Sequence, residues 1–372
     1  MKKQIIVLAV ACSCVLGIAA FLSSCSDDPK SSTDNFDRAA LLQHYAEDLI
    51  IPAYTSLLTS VTTLEDDATA FTENPGSETL TTVQASWEEA FLRWQSANAY
   101  NFGLAGESGI KKSLADEIGL FPVSTTKIES AITSGTYDLN DAKRDARGFL
   151  AIEYLLFSLN DDNESIVASF ESTNRQAYLL DVIANLKQRI AAVQSDWTGS
   201  YKSEFVASTG TAVGSSTSEL YNEFVRSYEV MKNFKVAFPL GLGAGQTHTR
   251  PEDVEAYYSG KSIRFLKAHY TALEKIWYGK GQNDVDGIGF KEYLESVEGG
   301  AALVSQTEAQ FAKIREALAT LEETPRLSTQ IETNFTALSA MSTELQKNVR
   351  YIKSDMSSLL GIAITFSSAD GD

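Results

Sequence analysis

The feature that most constrains the fold is an apolar stripe of helical period near the C-terminus. Apolar residues recur at steps of three and four over residues 327–352, which places them along one face of a long helix. Similar stripes cover residues 178–197 and 303–321. No segment alternates apolar and polar residues for long enough to predict a strand. The sequence therefore predicts an all-α protein.

The same periodicity, together with helix-start signals, predicts eight long amphipathic helices. We expect Pro52 to kink the first of them, because proline removes a backbone hydrogen bond and clashes with the preceding turn. Eight such helices favour two four-helix bundles packed side by side. The Gly/Ser/Thr-rich stretch 208–218 marks the boundary, giving an N-terminal bundle over 36–207 and a C-terminal bundle over 208–372. The predicted helices lie near 36–64, 77–101, 141–158, 173–197, 217–236, 251–279, 302–321 and 325–352.

The N-terminus has the pattern of a secretory signal. Two lysines precede an apolar stretch that ends at small residues and Cys25, which predicts a signal peptide over 1–24 and a tether over 25–35. Residues 22–25, Leu-Ser-Ser-Cys, resemble the lipobox of bacterial lipoproteins, in which the cysteine is acylated; the alternative is an ordinary signal peptide with a chance cysteine. The other two cysteines, Cys12 and Cys14, fall inside the signal, so a disulfide or thiolate metal site in the mature chain is excluded.

The net charge of the chain and its predicted location limit the kinds of partner that it can bind. The chain carries 31 basic and 49 acidic residues, a net charge of −18, which argues against binding nucleic acid or an anionic lipid surface. We therefore expect membrane contact through the lipid anchor only. The Ser-Asp-Asp run at 26–28 resembles the acidic signal that sends lipoproteins of Bacteroides-type bacteria to the cell surface, which predicts an outer-membrane lipoprotein at the cell surface. A solvated tether is the alternative.

Histidine is scarce, which limits the chemistry available. The chain has three, His44, His248 and His269, and none forms the His-Glu-x-x-His pair of zinc peptidases. His269 follows Phe265 and Leu266, which predicts a histidine that packs in the core rather than one that binds a ligand.

Glu153 is the most informative single residue. It lies within a helix that is apolar almost all round, residues 147–157, so we expect it to be buried. A buried carboxylate costs several kcal/mol unless it has a partner or water. Two interpretations remain open: a structural ion pair with an arginine, and a water-containing pocket at the bundle interface with Arg147 or a nearby tyrosine as partner.

Residues 147–157 resemble the signature of the imelysin-like family, Gly-x-His-x-x-Glu. Residues 87–103 are similar to the family's aromatic second helix. Residues 238–241 and 251–262 resemble its middle block, and residues 360–372 its C-terminal ending. The blocks occur in the family's order and cover most of residues 36–372.

The resemblance implies two four-helix bundles with a site between them, secretion or lipid anchoring, and a role in iron uptake. It implies Glu153 as a ligand or metal residue, with Arg147 and Trp94 as flanking groups and Ser259 and Ser262 from the middle block. An older peptidase label also comes with the family and rests on the histidine of the signature. Here that position is Leu150, which can neither bind metal nor accept a proton, so we expect no enzyme.

Three functions follow as hypotheses. The first is a surface or periplasm-facing lipoprotein that binds a small ligand, metal or haem between its bundles in iron or haem uptake. A metallopeptidase and a protein that docks on an outer-membrane receptor without a ligand are the alternatives. A lone carboxylate with no imidazole favours iron or another oxygen-coordinated cation as cofactor, or a ligand that is not a metal.

Overall fold

The computed structural model describes residues 35–107, 112–157, 162–281 and 284–366. Over these ranges the chain is helical with irregular connections and no strand, which confirms the all-α prediction. Across the same residues, none of the helices combines the length and apolar character needed to span a bilayer. The predicted signal peptide and Cys25, with the tether up to residue 34, lie outside the described residues.

The α-helices differ widely in length. They are α1 Arg38–His44, α2 Ile51–Glu73, α3 Ser77–Ala97, α4 Leu114–Ile118, α5 Thr125–Ser134, α6 Phe149–Leu156, α7 Asn163–Ser169, α8 Thr173–Thr198, α9 Tyr201–Ala207, α10 Ser216–Val230, α11 Ser262–Tyr278, α12 Phe290–Glu295, α13 Gly300–Ala319, α14 Leu327–Thr333, α15 Phe335–Val349 and α16 Met356–Leu360. Three π-helical segments, Tyr45–Ile50, Met231–Ala237 and Arg350–Asp355, continue longer helices. Short 3-10 turns occupy Gly103–Ala105, Arg144–Ala146 and Pro251–Asp253.

The helices pack as two four-helix groups. In the first group α2 packs against α3 and α8, and α6 closes the ring by contacting both α3 and α8. In the second group α10 and its π-helical continuation pack against α11, while α13 packs against α15 and α15 returns to the π segment 231–237. Helix α3 lies against α11 and joins the groups. The two four-helix bundles are therefore confirmed, and the domain boundary at 207/208 stays a prediction.

The first helix has its irregularity one turn before the proline. A π-helical turn, Tyr45–Ile50, precedes Pro52, and the Ile51 amide donates to the Ala46 carbonyl five residues earlier. Residues at the start of this helix also contact the second group. The Tyr45 hydroxyl donates to the Ile276 carbonyl of α11, and the Phe36 ring stacks on Tyr293 at 4.6 Å.

Two predicted helices are shorter than the sequence indicated. The helix predicted over 141–158 begins only at Phe149, because Gly148 has a φ of +77°, outside the helical range. The helix predicted over 251–279 begins at Ser262, since Ala256 and Gly260 both have positive φ. The helix predicted over 325–352 is also interrupted, at Asn334. The irregular segment 254–261 supplies Ser259, one of the predicted site residues, and Ser262 begins the helix that follows it.

Candidate functional site

Gly148 places the signature helix against the rest of the first group. At a φ of +77°, a glycine avoids the strain that a side chain would suffer. A Cβ at this position would lie 2.4 Å from the Ile118 carbonyl oxygen, so the backbone approach itself requires glycine. Helix α6 starts at the next residue and carries Leu150 and Glu153 one turn apart.

Glu153 is buried, with 1% of its surface exposed. The Ser259 amide donates to Glu153 Oε1 at 2.8 Å. Burial raises the pKa of Glu153 to about 7, with Ser259 opposing the rise and the negative charge of Glu255 adding to it. The carboxyl group can therefore exchange a proton near neutral pH.

A cavity of about 260 Å³ lies beside this carboxyl group, and we call it the signature cavity. Leu150, which replaces the family's histidine, also lines it. The walls come from three places: α6, the segment 121–125 and the loop before α11. Its lining residues are Phe121, Pro122, Val123, Thr125, Leu150, Glu153, Glu252, Asp253, Val254, Ala256, Tyr257 and Tyr258.

Arg147 does not pair with Glu153. Its Nη2 lies 2.5 Å from Glu117 Oε2, and its Nη1 donates to the Asp141 carbonyl at 2.9 Å. Arg144 and Arg189 contact the same Glu117 carboxylate. The proposed ion pair between Arg147 and Glu153 is therefore wrong, because the guanidinium binds Glu117 of α4 and the Asp141 carbonyl.

The other predicted residues lie at separate points around the cleft. Trp94 is buried on α3, with its ring centroid 6.3 Å from that of Phe149. The Ser262 hydroxyl donates to the Glu255 carbonyl at the start of α11. Ser259 is the one that contacts Glu153. The structure thus brings Glu153 and Ser259 together and places Trp94 on the wall of a second cavity.

That second cavity is larger, about 500 Å³, and we call it the polar cavity. It lies between the end of α3 on one side and α10 and α11 on the other. Phe121 lines both cavities, and Glu255 lines the polar cavity while its charge acts on Glu153. The lining residues are Trp94, Asn98, Asn101, Glu107, Ser113, Ala115, Asp116, Gly119, Phe121, Glu223, Arg226, Ser227, Val230, Lys235, Glu255, His269, Thr365 and Phe366.

A buried ion pair lies on its wall. Lys235 Nζ is 2.8 Å from Glu255 Oε2, and each side chain is 4% exposed. The same ammonium donates to Gln95 Oε1 at 2.7 Å. Burial lowers the pKa of Lys235, and the charge of Glu255 opposes that change. The π-helical turn 231–237 carries this lysine.

A buried histidine lies nearby. His269 Nε2 is 2.7 Å from Ser227 Oγ, and that hydroxyl also lies 3.3 Å from Asn98 Oδ1. His269 Nδ1 is buried and has no hydrogen-bond partner among the described residues. Burial, followed by the positive charge of Lys235, lowers the pKa of His269 well below its usual value. The imidazole is therefore neutral at physiological pH.

Glu223 is a carboxyl group of the polar cavity whose pKa is also raised. It is 8% exposed, and Arg226 Nε lies 3.3 Å from its Oε1. Burial raises the pKa of Glu223 to about 7; the charges of Glu107, Glu219 and Asp116 add to the rise and Arg226 opposes it.

The described residues do not form a metal site of their own. Nowhere among them do three His, Cys, Asp or Glu side chains converge as they do around a protein-bound ion. Glu153 offers one carboxyl group, and one such ligand does not fill the coordination sphere of an oxygen-binding cation.

Sequence reasoning missed most of the polar cavity. Glu223, Ser227 and Lys235 were not singled out, Glu255 appeared only within the middle block, and His269 was predicted to pack in the core. A signal did exist: α10 buries an unusually polar face, including Glu223 and Ser227, which are four residues apart and so share one side of the helix.

The sequence of this chain is similar to those of known proteins. Residues 50–355 match the family described as imelysin, which carries a peptidase label. An iron-regulated protein A from Synechococcus elongatus is 21% identical over 358 residues, with 92% of each chain covered.

Two solved structures have a similar fold. A candidate iron-regulated protein A precursor from Parabacteroides distasonis superposes with a TM-score of 0.72 at 16% identity, covering 88% of this chain and 97% of that chain. An imelysin-like protein from Psychrobacter arcticum superposes with a TM-score of 0.68 at 20% identity, with the same coverage.

Proposed function

This chain belongs to the imelysin family, and from that premise we propose that it is a binding protein of the cell envelope. It holds a small ligand in the cleft between its two helical groups and serves iron or haem uptake. The iron-regulated name of its Synechococcus elongatus relative supports the link to iron.

The observation that carries the proposal is the polar cavity. Its volume of about 500 Å³ lies within the range of small-molecule sites, which are concave and present a few buried polar groups. Both helical groups supply its walls, so closing or opening the cleft would act on a bound molecule. The signature cavity adjoins it through Phe121, which extends the polar surface to Glu153.

Iron would enter this cleft as a complex that carries its own ligands. The described residues provide scattered carboxyl groups rather than a converging set. Glu153 and Glu223 would then accept hydrogen bonds from the complex or contribute single oxygen ligands.

We propose binding rather than peptidase chemistry. The family's peptidase label rests on a histidine whose place Leu150 takes, and Leu150 is buried beside Glu153. A zinc peptidase needs three protein ligands and a base at one point. A variant test separates the two functions: Leu150→His should create no peptidase activity on casein if the chain is a binder.

The location of the protein is also a proposal. Cys25 would carry the lipid that anchors it in the outer membrane, facing the cell surface, where it could deliver its ligand to an outer-membrane receptor. Cys25→Ala should move the protein from the membrane fraction to the soluble fraction. A variant that still sediments with membranes contradicts the lipoprotein assignment.

Native mass spectrometry tests the binding function. Protein purified from its own host under iron limitation and under iron repletion should carry a non-covalent ligand in at least one condition. Glu153→Gln keeps the shape of the side chain and removes its charge, so it should reduce ligand occupancy while the circular dichroism spectrum stays helical. Protein that is empty in both conditions contradicts the proposed role in uptake.

A further inference from the structure

We propose that the polar cavity selects a small organic cation, a molecule with a primary ammonium group on an apolar or aromatic body. The inference rests on the proposed binding function and names the chemical class that the cleft accepts. Three independent features of the cavity support it: its charge, its unpartnered imidazole nitrogen and its aromatic walls.

The described lining residues carry an excess of negative charge. Four carboxylates, Glu107, Asp116, Glu223 and Glu255, face two cations. Lys235 is committed to Glu255, and Arg226 contacts only Glu223 among the lining carboxylates.

The remaining carboxylates have weaker partners. Glu107 lies 3.9 Å from Lys112, and both side chains are about half exposed, where an ion pair contributes little. Asp116 accepts a hydrogen bond from the Ser113 hydroxyl at 2.9 Å, and no lysine or arginine among the described residues forms an ion pair with it. The mutual repulsion that helps to raise the pKa of Glu223 is what a bound cation would relieve.

The hydrogen bonds around His269 point to a donor on the ligand. If the Ser227 hydroxyl donates to Asn98 Oδ1, it must accept from His269 Nε2, because a hydroxyl has a single proton. The proton of the neutral ring then lies on Nε2, and Nδ1 is an acceptor. Nδ1 has no hydrogen-bond partner among the described residues, so it is an unused acceptor on a side chain that lines the cavity, and an ammonium group that reached it would supply the donor.

The walls suit the body of such a molecule. Trp94, Phe121 and Phe366 line the cavity, and aromatic faces attract cations that lie within about 6 Å of the ring centre. Phe366 already accepts the Arg226 guanidinium at 5.4 Å. A volume of about 500 Å³ is far larger than a bare ion needs, which favours a molecule.

Matched probes test the charge preference. The mature protein is titrated at pH 8 by calorimetry with 2-phenylethylamine, with 2-phenylethanol and with 3-phenylpropionate, which share a body and differ in charge. A second pair, 1,5-diaminopentane and 1,5-pentanediol, repeats the comparison without the ring. We expect each amine to bind at least about tenfold more tightly than its alcohol, as a charge-assisted contact provides.

Variants locate the site. Glu223→Gln and Asp116→Asn should each weaken amine binding about tenfold without changing alcohol binding. Glu316→Gln is the matched control, because Glu316 is exposed on α13 and does not line the cavity; it should leave the amine affinity unchanged. Asp116 is partly exposed, so its variant remains informative if the Glu223 variant fails to fold.

Three results would overturn the inference. The first is that the alcohol or the acid binds as tightly as the amine or more tightly. The second is that no amine binds at concentrations on the order of 10 mM. The third is that Glu223→Gln and Asp116→Asn both leave amine binding unchanged. A host-derived ligand without a basic nitrogen, found by native mass spectrometry, also overturns the inference but leaves the binding function standing. Protein that is empty from the host and yet binds the amines contradicts the uptake function alone.

Discussion

The signature cavity and the polar cavity lie side by side but differ in how the sequence encodes them. The signature cavity has a contiguous motif on one short helix, Gly148 to Glu153, although two other segments supply most of its walls. The polar cavity has no such motif: its ionisable groups come from several separate elements, among them Glu223, Lys235, Glu255 and His269. Yet the second cavity is larger and holds more buried charge.

The difference shows what a motif reveals. A contiguous pattern identifies groups that one helix holds together, and it says nothing about groups that meet only after folding. Glu255 links the two regions, since it lines the polar cavity and its charge raises the pKa of Glu153. The two cavities therefore behave as neighbours in one electrostatic environment.

The largest expected effect on the free energy of unfolding comes from replacing Glu255, the residue that links the two cavities. Glu255→Leu leaves the Lys235 ammonium buried with Gln95 Oε1 as its one remaining partner among the described residues, and breaking a buried pair this way costs about 3–5 kcal/mol. Urea unfolding followed by circular dichroism measures the loss.

The double variant Lys235→Met/Glu255→Leu is the control. It removes both charges and should recover most of the stability, because an apolar pair of similar volume fits the same space. If the single variant is as stable as the wild type, water reaches the ammonium and the pair is not a buried one.

A comparison of two glycine substitutions tests why the start of the signature helix, α6, requires glycine. Gly148→Ala places a Cβ 2.4 Å from the Ile118 carbonyl oxygen at a φ of +77°, and we expect a loss of about 3 kcal/mol. Gly214 has a φ of +84° with open space around its Cβ position, so Gly214→Ala should cost only about 1 kcal/mol. Equal losses in thermal unfolding would mean that conformational strain, and not the close approach, requires Gly148.

The sequence predicted the fold well because apolar periodicity is a local property. The helices predicted over 173–197 and 302–321 appear as α8 and α13, each within two residues of its predicted ends. The wrongly predicted helix ends also have a physical cause. Positive φ at Ala256 and Gly260 ends the helical pattern before α11, and a propensity argument does not predict such a backbone for alanine.

The site was predicted only in part. Burial of Glu153 followed from its apolar neighbours, and the structure confirms it. Its contact with Ser259 joins residues 106 positions apart, which no spacing rule provides. Arg147 illustrates the limit: an arginine six residues from a buried glutamate is a plausible partner in sequence, yet the turn at Gly148 directs it to Glu117.

The pH dependence of folding stability allows a direct comparison of the two cavities. Glu153 and Glu223 each have a pKa of about 7 in the folded protein against 4.5 as the ordinary value. Between those values the folded state holds protons that the unfolded chain has lost, so stability falls as pH rises from 4.5 to 7. Each group should account for up to about 3 kcal/mol.

Thermal unfolding from pH 5 to pH 8 checks this. Glu153→Gln and Glu223→Gln should each reduce the loss of stability over that range. If the cavities titrate independently, the double variant shows the sum of the two reductions. A pH profile that neither variant changes contradicts both raised pKa values.

The smallest expected effect concerns the hydrogen bonds that fix the polar cavity. Ser227→Ala removes the hydroxyl that lies 2.7 Å from His269 Nε2, leaving a second nitrogen of a buried ring without a partner. An unsatisfied buried group costs about 1–3 kcal/mol, and water entering from the cavity should keep the loss near 1 kcal/mol.

Ser305→Ala is the matched control, because the Ser305 hydroxyl donates to the Ala301 carbonyl on an exposed face of α13. This variant should change the free energy of unfolding by less than about 0.5 kcal/mol. Equal losses in the two variants would show that Ser227 does not hold the imidazole. A loss confined to Ser227→Ala, together with weaker binding of 2-phenylethylamine, would show that the orientation of His269 is fixed before the ligand arrives.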